Sequence, residues 1–248
     1  MTEPEFQITE EEFREFQAIV QQIETADTDD FLELSKLLGR DPKRDFVASD
    51  LSSANLSGTD LRRVDLSGAY LNGARLSGAN LSGANLSSAD LSSADLSGTD
   101  LRRANLNGAN LNGAYLNSAY LSGADLHSAG LNGTHLNSAY LRGARLNGAN
   151  LNGANLNSAY LSGANLSGAN LSSTCLSNAY LSGANLSSAN LSNAYLSETI
   201  LVGTIVENAL FIDVVGLSES AKLDLKQRGA IFNDTSGDRE SAYSPTGR

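Results

Sequence analysis

From Leu51 to Leu201 a leucine stands at every fifth position without interruption. In the same phase Phe46 precedes the series and Val206 and Phe211 follow it, giving thirty-four consecutive units of five residues. No straight element satisfies such a period. A helix repeats every 3.6 residues and a strand every two, so a five-residue spacing keeps one side apolar only if the chain turns once per unit. A second position in each unit is small or apolar: the residue two before the leucine is mostly alanine, as at Ala54, Ala69 and Ala74, with Thr59, Val64 and Thr99 as exceptions. These two positions are expected to face inward. The other three carry Ser, Asn, Gly, Asp, Arg and Tyr, which suit solvent and tight bends.

Units such as Ala79-Asn80-Leu81-Ser82-Gly83 resemble the A(D/N)LXX pattern of the pentapeptide repeat family, and the resemblance runs through about two-thirds of the chain. It implies a mainly β fold, a right-handed quadrilateral β-helix in which four units form one square coil and coils stack like parallel strands. At roughly 4.8 Å per coil the rod would be on the order of 40 Å long, its interior filled by side chains rather than by a ligand cavity. Each buried leucine contributes about 1.5–3 kcal/mol against the ordering entropy of the chain. Alanine at the facing inward position keeps the square narrow.

A repeat array leaves open strand edges at its ends, and both flanks read as covers for them. Over residues 1–40 an acidic helical hairpin is expected. Thr9-Glu10-Glu11-Glu12 reads as a capping box, and Phe13, Phe16, Ile19, Val20 and Ile23 share one helical face. A second helix starts near Asp29 and runs through Phe31, Leu34, Leu37 and Leu38 to Gly39. The hairpin is either a cap alone or an assembly surface that pairs Phe13 and Phe16 with another subunit. The β-helix is assigned to residues 41–216 and a C-terminal cap to residues 217–236. There Ser218 caps a helix from Glu219 to Arg228, with Leu223 and Leu225 as apolar contacts. Gly229 ends it, and Ala230-Ile231-Phe232 tucks against the last coil. Residues 237–248 are polar and without periodicity, the composition of a disordered tail. The segments from Asp41 to Phe46 and from Arg228 to Phe232 are similar to flanks that recur in cyanobacterial pentapeptide repeat proteins.

Composition bounds the function. The 248 residues carry a net charge of −11, a single cysteine and no tryptophan. No apolar run is long enough for a membrane span, and the acidic N-terminal sequence lacks the basic-then-apolar order of a signal peptide. The cytoplasm is the expected location, which Cys175, unable to form an intramolecular disulfide, fits. Residues 1–45 hold thirteen acids against five bases, whereas residues 46–216 hold ten acids against seven arginines. A nearly neutral rod argues against the best-known activity implied by the resemblance, mimicry of B-DNA at a type II topoisomerase, because duplex DNA carries one charge per roughly 1.7 Å. Nucleic-acid binding fares worse: residues 46–216 contain no lysine and their arginines form no long stripe.

Enzymatic chemistry finds no constellation either. The two histidines, His127 and His135, lack convergent partners for a metal, and Cys175 lies two coils from His135, roughly 10 Å by the coil rise and too far for a nucleophilic pair. Serine and glycine recur as parts of the turn, so no Ser-His-Asp group and no phosphate-binding loop is present. The expectation is a protein without cofactor or metal.

With four units per coil, residues twenty apart stack in columns. The residue before the leucine in one column reads Asp60, Asn80, Asp100, Tyr120, Tyr140, Tyr160, Tyr180, Ile200. Tyr120, Tyr140, Tyr160 and Tyr180 would form an aromatic ladder, with Arg62, Arg102 and Arg142 on the same side and Arg63 and Arg103 beside them. Stacked aromatics stabilise a face by about 0.2–1 kcal/mol per pair. Tyr and Arg are also enriched at interface hot spots, so the ladder is the candidate docking face for a protein partner or a second copy. A non-enzymatic interaction or scaffolding protein is expected; the alternative is a DNA-mimicking modulator of a type II topoisomerase.

Overall fold

The computed structural model describes residues 46–233. The chain winds as a solenoid in which parallel β-bridges join residues twenty apart, from Asp50 with Tyr70 to Tyr195 with Val215. One bridge falls in each five-residue unit, so every coil has four sides. The bridges are single residues, and no longer strand forms among the described residues. The cause is local, because a turn follows every bridge. In the unit Leu51 to Ala54 the leucine carbonyl accepts the Ala54 N–H at 3.1 Å, and Ser53, third in the turn, has a φ of +60°. The same left-handed conformation recurs unit after unit, taken by glycine as at Gly68 or by serine as at Ser158. The mainly β expectation therefore holds as a ladder of bridges rather than as extended strands.

The Asn or Asp before each leucine has a local task. Its side chain accepts the N–H two residues on, as Asn165 Oδ1 does from Ser167 at 3.1 Å and Asp95 Oδ1 from Ser97 at 3.0 Å. This bond occupies a turn donor that the coil-to-coil ladder does not use. Side-chain hydrogen bonds along the rod also occur: Asn170 Nδ2 donates to Asn150 Oδ1 at 3.1 Å and Asn110 Nδ2 to Asp90 Oδ1 at 2.9 Å.

The inward positions are those the pattern marked. Leucines from Leu61 to Leu196 and alanines from Ala69 to Ala194 are at most 1% exposed. They form one continuous core that begins at Phe46 and reaches Phe211. Thr99, Thr134 and Thr174 replace alanine in this core, and each hydroxyl donates to a leucine carbonyl, that of Leu76, Leu131 and Leu171 respectively. Their burial therefore leaves no hydroxyl unsatisfied.

After Val215 the chain leaves the register and forms α1, Glu219–Gln227. Ser218 Oγ caps it by accepting the Ala221 N–H at 3.2 Å. At the other end Gly229 N–H reaches the Lys226 carbonyl and Ala230 N–H the Leu225 carbonyl, both at 3.0 Å, with Gly229 at a φ of +89°. This is a Schellman stop, and the left-handed residue it needs is the glycine. Only one of the two expected apolar contacts is made. Leu225 is buried, but Leu223 is 59% exposed, since residues two apart lie on opposite faces of a helix. Beyond the helix Ile231 bridges to Leu210, and the Phe232 ring stacks on Phe211 at 5.3 Å. Arg228 Nη1 donates to the Thr204 carbonyl at 2.8 Å, filling on the last coil an acceptor that in earlier coils takes the N–H of the bridging residue of the next coil. The open edge is thus covered by helix, strand and guanidinium together.

The hairpin expected over residues 1–40, with Phe13, Phe16, Ile19 and Val20, and the tail expected over 237–248 lie outside the described residues. Among the described residues no helix is long and apolar enough to cross a membrane.

Candidate interaction face

Each side of the rod is a column of bridging residues flanked by a column of turns. On one side the bridges run Asp60, Asn80, Asp100, Tyr120, Tyr140, Tyr160, Tyr180 and Ile200. The four tyrosine rings stack face to face, with centroids 5.1, 5.0 and 5.0 Å apart and planes within 7° of parallel. The spacing is that of the coils, so the backbone sets the stack and the rings fill it. The rings remain 38–46% exposed. None of the four hydroxyls has a hydrogen-bond partner among the described residues.

Placing tyrosine in this column has a second effect. A tyrosine cannot supply the side-chain carbonyl that Asn or Asp offers to the turn, so the N–H groups of Ser122, Arg142, Ser162 and Ser182 lack a partner among the described residues. A line of turn donors runs beside the line of phenols.

The arginines of this side fall into two kinds. Arg62 and Arg102 fold back on the carboxylate two residues earlier: Arg62 pairs with Asp60, and Arg102 Nη2 lies 2.5 Å from Asp100 Oδ2. The guanidinium hydrogen bonds hold both carboxyls below the usual carboxylate range, against an opposing rise from burial. Asp100 in turn raises the pKa of Arg102. Arg63, Arg103 and Arg142 have no ion pair among the described residues. Arg63 and Arg103 line a surface groove of about 650 Å³ with Ser82, Gly83, Arg102, Ser122 and Gly123. The column map singles out Arg62, Arg102 and Arg142, with Arg63 and Arg103 beside them. The structure distinguishes them by their acid: the first arginine of each Asp-Leu-Arg-Arg run is neutralised by its aspartate, and the second is left over. The Asp-Leu-Arg spacing was the available signal.

The other reactive residues are engaged elsewhere. His127 Nδ1 lies 2.8 Å from the Asn147 carbonyl oxygen, and the His135 ring stacks on Tyr115 at 4.7 Å. Cys175 is half-buried and bridges Asn155 and Tyr195. Among the described residues no group of three or more His, Cys, Asp or Glu is placed to hold a metal. The acidic outward column is also less charged than its sequence suggests, since Asp60, Asp100 and Asp125 pair with Arg62, Arg102 and Arg145.

Residues 45–68, 65–103, 99–137, 134–172 and 174–211 match the family of pentapeptide repeats, in eight copies. No curated protein matches the chain. Among solved structures the chain is similar to HetL, a pentapeptide repeat protein involved in heterocyst differentiation regulation from the cyanobacterium Nostoc. The two are 32% identical over 75% of this chain and 95% of HetL, with a TM-score of 0.34. A trypsin-treated variant of QnrB1, a plasmid-mediated fluoroquinolone resistance protein, is 21% identical over 78% of this chain and 86% of its own, with a TM-score of 0.53. A pentapeptide repeat protein of the Arabidopsis thaliana thylakoid lumen is 24% identical over 78% of this chain and 85% of its own, with a TM-score of 0.22. Repeats in one register over most of the length, wound into four-sided coils, place this chain in the pentapeptide repeat family, whose members fold as right-handed quadrilateral β-helices.

Proposed function

We propose that this protein is a non-enzymatic interaction scaffold, cytoplasmic and free of cofactor, that docks a protein partner on the side carrying Tyr120, Tyr140, Tyr160 and Tyr180. The observation that carries this reading is the ladder itself: four parallel, exposed rings whose hydroxyls have no partner among the described residues. Stacking alone accounts for about 0.2–1 kcal/mol per pair, and phenylalanine-like packing would not need the hydroxyls. Tyrosine at an interface supplies contact area at low entropic cost together with a polar tip. The rod supplies rigidity, because each ring is fixed by coil-to-coil hydrogen bonds of 2.7–2.9 Å.

The test is the double variant Tyr140→Ser with Tyr160→Ser, which removes every stack in the ladder. Affinity capture from the native cell extract is compared between wild type and variant, with thermal melting and sedimentation in parallel. Loss of a specific partner, or of a homodimer, from a variant that remains folded is the expected result. Unchanged partners and unchanged oligomeric state would end the docking reading. The fold likeness to QnrB1 makes the DNA-mimic alternative worth an assay of its own: inhibition of gyrase supercoiling by low concentrations of protein is expected of a mimic and not of this scaffold.

A further inference from the structure

The Arg63–Arg103 groove has features that the fold does not require. Both arginines occupy the third position of their turns, at φ values of +59° and +58°. A left-handed conformation costs a non-glycine residue roughly 1–2 kcal/mol. The same column uses glycine in its other coils, at Gly83, Gly123, Gly143, Gly163 and Gly183, where no such cost arises. Arginine also gains no ion pair here among the described residues, unlike Arg62 and Arg102 next to it. Glycine makes room for each stem. A Cβ on Gly83 would stand 3.5 Å from Arg63 Cγ, and one on Gly123 3.7 Å from Arg103 Cγ, so each arginine leans over the glycine of the following coil. The result is two arginine stems leaning the same way two coils apart, roughly 10 Å by the coil rise.

The groove ends at Ser122 and Gly123, in the turn that follows Tyr120, the first ring of the ladder. Beyond Asp100 this side carries no carboxylate through Ile200; its polar side chains are the phenols, the Arg142 guanidinium and the hydroxyls of Ser122, Ser162 and Ser182, beside the unpartnered turn N–H groups. It is a strip of donors on a protein of net charge −11. We propose that the groove and ladder together bind an acidic peptide segment of the partner in the polyproline II conformation, running along the rod axis, with carboxylates of residues i and i+3 on Arg63 and Arg103. At three residues per turn and about 3.1 Å per residue, side chains i and i+3 of that conformation share one face roughly 9 Å apart, close to the two-coil separation, whereas in a β-strand they would point to opposite faces. Arginine–carboxylate pairs are charge-assisted and frequently bidentate, and they give the docking both register and direction. Single-stranded nucleic acid, the other polyanion, is disfavoured by the ladder: rings 5.0–5.1 Å apart leave no slot for a base, which needs about twice the 3.4 Å stacking rise.

This inference rests on the docking reading, and the experiment separates the two. A fluorescein-labelled peptide of repeated Glu-Gly-Ser, which places a carboxylate at every third residue, is titrated with full-length protein at low ionic strength. The controls are its Gln-Gly-Ser counterpart and labelled oligothymidylate. Wild type should bind the glutamate peptide at least about tenfold more tightly than either control, a difference of about 1.4 kcal/mol. The preference should fade as salt is raised, because the contacts are exposed. Arg63→Gly with Arg103→Gly, which installs the residue the column uses elsewhere, should keep or raise the melting temperature and lose that preference. Equal binding of the glutamine peptide or of oligothymidylate, or an unchanged preference in the arginine variant, overturns the proposal. A partner captured by wild type and by the arginine variant but not by Tyr140→Ser with Tyr160→Ser would overturn the acidic-segment assignment and leave the docking face standing.

Discussion

Replacing Leu141 by alanine probes the structure where it is most regular. Leu141 is 1% exposed, with Leu121 and Leu161 in the coils on either side. Three carbon groups are removed, about 2.4 kcal/mol at 0.8 kcal/mol per buried group. A cavity cost adds to this when the surroundings cannot close, and here they are held apart. Leu141 N–H donates to the Tyr160 carbonyl at 2.8 Å and Tyr140 N–H to the Ala119 carbonyl at 2.9 Å, which fixes the coil spacing regardless of what fills it. The expected loss is therefore about 4 kcal/mol, in the upper part of the range for Leu→Ala. For a chain of this size that lowers Tm by roughly 8–16 °C, at about 2–4 °C per kcal/mol. Leu201→Ala is the control, because Leu201 is only half-buried and lies under α1 instead of another coil; its loss should be about half as large. Urea unfolding is followed by far-ultraviolet circular dichroism and by tyrosine emission, to which the ladder contributes four of the chain's eight tyrosines with no tryptophan to mask them. Coincident transitions would show that the rod unfolds as one unit, which a linear array need not do. A Leu141→Ala loss no greater than that of Leu201→Ala would refute the picture of a core whose spacing the backbone imposes.

Gly216→Ala should be among the most damaging single changes at the C-terminal end, since a Cβ there would stand 2.4 Å from both Ser197 N and Ser197 Oγ at a φ of +96°. A drop in Tm of wild-type-like secondary structure, or failure to fold, is the outcome to look for by circular dichroism. Leu225→Ala should cost about 2–4 kcal/mol and loosen α1 from the last coil; light scattering should then detect end-to-end association through the uncovered edge. Asn165→Ala removes the acceptor of the Ser167 N–H and should cost about 1 kcal/mol in urea titration. Asp60 and Asp100 have depressed folded pKa values, so their contribution is present above the unfolded value near 3.9 and is lost as pH falls through the folded one. Asp60→Asn with Asp100→Asn should therefore lower stability at neutral pH by no more than about 1 kcal/mol per pair and flatten the fall in acid, measured by urea titration across pH 2–7.

What the sequence disclosed depended on how often a residue was repeated. The leucine and alanine positions were legible because burial imposes the same demand on every coil, and column addresses followed once four units were assigned to a turn. The Schellman stop at Gly229 was legible for a different reason, since closing it calls for a left-handed residue and glycine takes that conformation without strain. Properties that depend on one neighbour were less so. Leu223 looked like a helix contact from its apolarity, but its partner Leu225 had already claimed the buried face. Arg62 and Arg63 look alike in a column map, although the Asp-Leu-Arg spacing marks the first, and the side-chain geometry shows that Asp60 reaches it and not the second. The unpartnered turn donors beside the tyrosines were also hidden, because nothing in the repeat pattern reveals that an Asn or Asp side-chain oxygen holds the turn N–H.

The constant register of twenty makes the length of chain between two points an angle. Removing five residues between Arg103 and Tyr120 would turn everything downstream by a quarter revolution and carry the tyrosines onto an adjacent side, away from the arginine groove. Removing residues 106–125 would instead shorten the rod by one coil and bring Tyr140 to the level above Arg103, on the same side. Insertions and deletions are thus graded by their remainder on division by twenty, and the alignment of the two halves of this face is set by arithmetic on chain length as much as by the identity of any side chain.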